Sequence, residues 1–214
     1  MESNKNTYDD LNGSNKKSIG RRTFFTQSVY CSAGLTLLAF PMIRKELLAM
    51  PGDKSNEEIL KELEAKAEKF MPKFMSCAQV SFAALNEQFN FKADSFLPAL
   101  LPFAGGVAAK GETCGAVVGS MSAIGLFFES MNQKGKQMPG ASIRFGGLFF
   151  DRFEKEFGST RCKEVIKHQY GRYLDLNKPE DQKLFMEESQ KNGNCLEVIK
   201  KAVLIAGDIF LANS

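Results

Sequence analysis

The chain predicts an all-α fold: a single helical-bundle-like domain behind an N-terminal signal segment. Three observations carry this. Apolar residues recur at three- and four-residue spacing through most of residues 55–211. β-branched runs are scarce, while Phe is abundant at 19 residues and Trp is absent. The periodic stretches are punctuated by cap residues, Gly and Pro rather than by two-residue hairpin turns.

The elements follow in order. Ser55 to Met71 is a helix, because Ser55 and Glu58 form a capping box and Ile59, Leu60, Leu63, Ala67 and Phe70 make one apolar face. Pro72 ends or kinks it. A second helix runs from about Cys77 to Phe89, with Val80, Ala83, Ala84 and Leu85 facing inward. Asp94 or Ser95 opens a short third element through Leu101, and residues 103–113 read as a Gly-rich loop. Cys114 to about Met131 is an apolar helix with Gly115, Gly119 and Ala123 on one face. Small residues at that spacing allow close approach, within the domain or against a second copy in a homodimer. Its apolar run of about 15 residues is shorter than the ~20 that cross a bilayer, so it reads as a core helix. Gly135 to Gly140 breaks the chain, and further helices are expected at Ile143–Phe157, Ser159–His168, Pro179–Lys191 and Cys195–Leu211.

Residues 1–50 read as a twin-arginine signal peptide and leader, and 51–214 as the mature domain. Arg21-Arg22-Thr23-Phe24-Phe25 precedes a mostly apolar run from Val29 to Ile43, the paired-arginine and short hydrophobic arrangement of such signals. The run is too short to span a bilayer and contains Ser32, Gly34 and Pro41. This predicts handling by the twin-arginine export machinery and residence in the periplasm or on the outer face of the cytoplasmic membrane. The leader holds seven Lys/Arg against four Asp/Glu; the remainder has 21 of each, so the net +3 belongs to the leader. A balanced mature domain argues against nucleic acid as a partner.

Four cysteines stand within a turn of predicted helix starts: Cys77, Cys114, Cys162 and Cys195. Each follows a Ser, Thr or Asn that can cap a helix. A helix N-terminus offers unpaired N–H groups and partial positive charge, which stabilise a thiolate. The fifth, Cys31, lies in the leader as a filler of its hydrophobic run. Gly105, Gly106, Gly111 and Gly115 leave backbone amides uncovered near Cys114, the type of donor that cofactor sulfur accepts. Three uses of the cysteines compete. They could ligate a metal centre, foremost an iron–sulfur cluster for electron transfer. They could work as a thiol–disulfide oxidoreductase. They could also staple the domain as two disulfides, or around zinc. The gaps of 37, 48 and 33 residues match none of the tight metal motifs. Twin-arginine cargo crosses the membrane folded, which tilts the balance toward a bound cofactor.

The segment Gly111-Glu112-Thr113-Cys114-Gly115-Ala116-Val117-Val118-Gly119 resembles the signature of the C_GCAxxG_C_C family, a set of bacterial proteins ascribed redox activity. Cys77 matches its upstream cysteine, and Cys162 and Cys195 its last two. The resemblance covers roughly residues 73–212 and implies a redox site built from the four cysteines, serving an unidentified redox partner protein. The same pattern is similar to that of split-Soret cytochromes, which carry haem and an iron–sulfur centre. This chain has one histidine, His168, and no Cys-x-x-Cys-His, so covalent c-type haem is not expected.

Other chemistry is thinly represented. His168 reads as ordinary surface near a helix end, and Asp151, Glu154 and Glu156 as a charged face interspersed with Arg152 and Lys155. Met121 and Met131 read as core filler. One histidine leaves no Ser-His-Asp triad, and no nucleotide-binding fingerprint is present.

Overall fold

The capping box at Ser55 forms as the sequence predicts. The Glu58 amide donates to the Ser55 hydroxyl at 3.2 Å, and the Ser55 amide donates to the Glu58 carboxylate at 2.8 Å. In the computed structural model, which describes residues 54–74, 76–135, 139–192 and 194–214, this cap opens helix α1, Asn56–Phe70. Seven further α-helices follow among the described residues: α2 (Cys77–Phe89), α3 (Leu97–Leu100), α4 (Gly115–Gln133), α5 (Ala141–Phe157), α6 (Cys162–Tyr170), α7 (Pro179–Asn192) and α8 (Asn194–Leu211). Those residues contain no strand, only an isolated bridge between Thr113 and Arg161. The all-α expectation is met. Residues 1–53, with the twin-arginine segment and Cys31, lie outside the described residues. None of the described helices is long and apolar enough to cross a membrane.

Helix α2 is the centre of the bundle. Every residue from Ala78 to Asn86 is buried, polar positions included, because α1, α4 and α8 all pack on it. It stops at Asn90, whose φ of +54° gives the left-handed cap that asparagine tolerates better than most residues. The buried Asn86 amide then anchors the next segment, accepting from the Ala93 N–H at 3.0 Å and donating to Asp94 at 2.9 Å. The predicted short third element is α3 flanked by two 3₁₀ turns, Asp94–Phe96 and Leu101–Phe103.

Helix α5 shows why its sequence was legible. Phe145, Phe149, Phe153 and Phe157 recur every four residues, and all four are buried. Glycines with positive φ, Gly140 and Gly158, bound it on either side. Helix α6 begins at Cys162, later than the Ser159 expected from the cap pattern, because residues 160 and 161 are spent pairing with residues 113 and 114.

Helices α2, α4 and α8 run in the same sense. Their N-terminal residues carry or adjoin Cys77, Cys114 and Cys195 at one shared cavity. Toward their C-termini, Phe89, Phe127 and Phe210 meet, with Phe127 stacked on Phe210 at 4.3 Å and Phe89 edge-on to Phe210 at 4.9 Å. The 12 to 15 residues between those landmarks correspond to about 18–22 Å of helix. Parallel helices place like dipole ends together, so the thiol end gathers partial positive charge.

Candidate four-cysteine redox site

Cys77, Cys114, Cys162 and Cys195 all line one cavity of about 360 Å³. Cys77 is the first residue of α2, Cys114 immediately precedes α4, Cys162 opens α6, and Cys195 is the second residue of α8. Four separate helix starts thus point at one space. Cys114 and Cys162 are buried and Cys77 and Cys195 half-buried, and all four are free thiols in this structure. The rest of the wall is mainly apolar, with Leu101, Val165, Ile166, Leu176, Phe185 and Val198 prominent.

Local backbone pairing clamps two of the thiols together. The Cys114 N–H donates to the Thr160 carbonyl at 2.8 Å, the Cys162 N–H to the Glu112 carbonyl at 2.6 Å, and the Lys163 N–H to the Gly111 carbonyl at 3.1 Å. Outside this ladder the Arg161 guanidinium meets both Glu112 carboxylate oxygens at 3.0 Å. The residue capping α6 is Arg161, which supplies no side-chain cap, and Ser76 likewise makes no side-chain cap bond to α2. The helix-start placement of the cysteines holds; side-chain capping at these two starts does not.

The glycine motif explains how Cys77 meets Cys114. A Cβ on Gly119 would lie 2.2 Å from the Ala78 carbonyl oxygen and 2.3 Å from the Ser81 hydroxyl, so α4 touches α2 through bare backbone. Gly115 sits in the same seam, where a Cβ would lie 3.1 Å from the Ala78 nitrogen and 3.2 Å from the Cys77 Cβ. Ala116 and Ala123 are fully buried. The small-residue face is therefore used within the domain.

Residues 103–113 are more ordered than the loop expected from their glycines. Gly105, Gly106, Val107, Ala108 and Ala109 all have positive φ, between +51° and +71°. This is a left-handed turn, a conformation that costs an L-residue roughly 1–2 kcal/mol. It is tied down by Ala109 N–H to Ala104 O at 3.0 Å and by the Asn177 side chain to Ala109 O at 2.8 Å. Of the four glycines singled out from sequence, Gly105 lines the cavity. Gly106 lies directly behind Cys162, where a Cβ would stand 2.4 Å from the Cys162 Cβ. The Gly111 N–H is occupied by the Gly105 carbonyl at 3.1 Å. Strain stored beside reactive groups is a recurrent property of functional sites.

The thiols interact in two pairs. Cys77 is held below the ordinary thiol range, chiefly by a hydrogen bond from Cys195. Cys195 is pushed well above that range by giving its proton to Cys77 and by burial. Cys162 is likewise pushed up, first by its hydrogen bond to Cys114 and then by burial. Each pair also feels the charge of the other. Among the described residues, no three His, Cys, Asp or Glu side chains are placed to hold one metal ion together.

Tyr170 escaped the sequence reading. Its hydroxyl lies 3.9 Å from the Cys195 sulfur, 25 positions away in the chain, and nothing local marks it. The secondary candidates fall elsewhere. His168 is exposed, edge-on to Phe157 at 6.2 Å. Glu156 pairs with Lys201 at 3.2 Å, and Asp151 and Glu154 are exposed on α5. Met131 is buried, and Met121 is partly buried against Gly146.

A helical domain with four thiols at converging helix starts around one cavity defines a class, the small all-α thiol proteins. The family follows from comparison. The model of the family described as "Putative redox-active protein (C_GCAxxG_C_C)" matches residues 75–209, and the chain belongs to that family. A protein of Archaeoglobus fulgidus, itself uncharacterized, is 26% identical over 137 residues, covering 61% of this chain and 81% of its own. No solved structure matches.

Proposed function

We propose that the four-cysteine cavity holds an iron–sulfur cluster and that the domain carries electrons through it to a redox partner protein. The observation that carries this reading is the convergence of four thiols from four helix starts on one cavity. Two independent disulfides would not require a shared space. The pairing also bears on the kind of centre. A single zinc or iron ion needs three or four ligands placed around one point, which the described residues do not offer. In a [2Fe–2S] cluster each iron takes two thiolates, and Cys77 with Cys195 and Cys114 with Cys162 is a two-plus-two set.

The chain's own groups suit that cargo. The N-termini of α2, α4, α6 and α8 bring partial positive charge to a site where thiolates and cluster add negative charge. The apolar wall limits water, and both hydrogen bonding and solvent exposure tune such centres. A cluster, when bound, supplies reversible one-electron exchange.

A second reading rests on one specific observation, that Cys77 and Cys195 are both half-buried on the wall of the same cavity, Cys77 being held below the ordinary thiol range beside Cys195. As a thiol–disulfide oxidoreductase, Cys77 would attack a partner disulfide, forming a mixed disulfide and expelling one partner thiolate. Cys195 would then attack Cys77, releasing the second thiol and leaving a Cys77–Cys195 disulfide. The two electrons come from the two thiols. The half-buried position of both residues permits this more readily than at the buried Cys114 and Cys162.

Export belongs to the same proposal. The Arg21-Arg22 leader would deliver a folded, loaded domain by the twin-arginine route to the periplasm or the outer face of the cytoplasmic membrane. Iron, zinc and sulfide analysis with an absorption spectrum, on protein purified anaerobically, tests the proposal. About two irons per chain with broad sulfur-to-iron absorption is expected. Metal-free protein with four titratable thiols favours the oxidoreductase reading; metal-free protein without free thiols points to structural disulfides.

A further inference from the structure

We infer that Tyr170 is a positioning residue for this centre, its phenol hydrogen bond to the Cys195 sulfur setting the reduction potential. The inference rests on the reading above that Cys195 belongs to a redox centre. Tyr170 is the last residue of α6, the helix whose first residue is Cys162. One helix thus supplies a thiol at one end and a donor to another thiol at the other. The phenol oxygen lies 3.9 Å from the Cys195 sulfur and is hydrogen-bonded on its other side to the Ser189 hydroxyl of α7. A phenol has one proton. With Ser189 donating to the phenol oxygen, that proton is directed to sulfur, giving a donor chain Ser189, Tyr170, Cys195. The ring is fixed against Phe185 at 5.4 Å, and Phe185 itself lines the cysteine cavity. The geometry therefore holds a polar donor at sulfur beside a mainly apolar wall.

The sign follows from charge. Reduction adds negative charge that is shared by the sulfur ligands, and a donor to sulfur stabilises it. Removing the donor favours the oxidised state, so the potential falls.

The test is an anaerobic redox titration of the full chain as wild type, Tyr170→Phe and Ser189→Ala, with iron content and thermal melting measured on the same samples. Tyr170→Phe should keep its iron and its melting temperature while the reduction equilibrium weakens roughly tenfold, a negative shift of about 59 mV for one electron. Ser189→Ala should shift the same way by less. If Tyr170→Phe fails to fold, Ser189→Ala, which leaves the ring in place, carries the test. An unchanged midpoint at full iron content overturns the inference. If the wild type binds no iron, the cluster reading fails. The same variants are then titrated on the Cys77–Cys195 dithiol couple, where a tenfold effect is about 30 mV for two electrons. An unchanged midpoint there overturns the role of Tyr170 equally.

Discussion

The same three helices meet twice, once through phenyl rings and once through thiols. At the C-terminal side of α2, α4 and α8, Phe89, Phe127 and Phe210 pack ring on ring, and Phe128 stacks on Phe145 at 4.6 Å. At the N-terminal side α4 touches α2 at Gly115 and Gly119, and beside that seam four cysteines face a cavity of about 360 Å³. The first region is packed by aromatic rings that carry no reactive group. The second is left open, lined with groups that lower the energy only when they share a proton, a bond or a metal. Stability and chemistry are thereby placed at opposite ends of one set of helices.

Substitutions at the two ends should separate these roles. The largest effect is expected from Cys114→Ser or Cys162→Ser. Either should eliminate bound iron and visible absorption, checked by metal analysis, while far-ultraviolet circular dichroism remains helical. At the other end, Phe210→Ala removes a fully buried ring and should cost about 3–5 kcal/mol in urea unfolding. Its folded fraction should still bind iron in full. Iron loss proportionally greater than unfolding would break the separation.

Gly119→Ala probes the seam that joins the two ends. Its methyl would meet the Ala78 carbonyl oxygen at 2.2 Å, and backbone cannot swing aside as a side chain can. A cost of about 1–3 kcal/mol is expected from overpacking. Reduced iron occupancy should accompany it, because α4 would move Cys114 away from Cys77. The smallest effect is expected at the exposed start of α1. Ser55→Ala should cost about 1 kcal/mol through the lost α1 cap and leave iron content unchanged. The same cap has a pH signature. Hydrogen bonds from the Ser55 amide and hydroxyl hold the Glu58 carboxyl below its ordinary value of 4.5. The share of the cap that rests on the Glu58 carboxylate is therefore present above pH 4.5 and lost as pH falls through the lower folded value, while the Glu58 N–H to Ser55 hydroxyl bond persists. Acid titration of helicity should show the gap between wild type and Ser55→Ala narrowing at low pH.

Much of this was legible in the sequence. The Ser55–Glu58 box, the four-residue Phe spacing of α5 and the cysteine positions are local patterns, and local hydrogen bonding and burial suffice to realise them. The glycine motif was legible as a close-packing face, and its partner proved to be α2 within the domain. What remained hidden depends on distant contacts. The left-handed turn at Gly105–Ala109 includes Val107, a β-branched residue that local preference would never place at φ +60°. It exists because Ala104 and Asn177 hold it. Tyr170 gains its place only when α6, α7 and α8 assemble. The closeness of Cys114 to Cys162 is likewise set by a tertiary clamp, the ladder between residues 111–114 and 160–163.

The central claim is that the four thiols form one centre. It is tested most directly by mapping alkylation of Cys77, Cys114, Cys162 and Cys195 by mass spectrometry in the anaerobic native protein, before and after iron is removed by acid and chelator. The account predicts that all four are protected together and become reactive together when the iron leaves. Protection that persists for one pair while the other reacts freely, with or without iron, would contradict it.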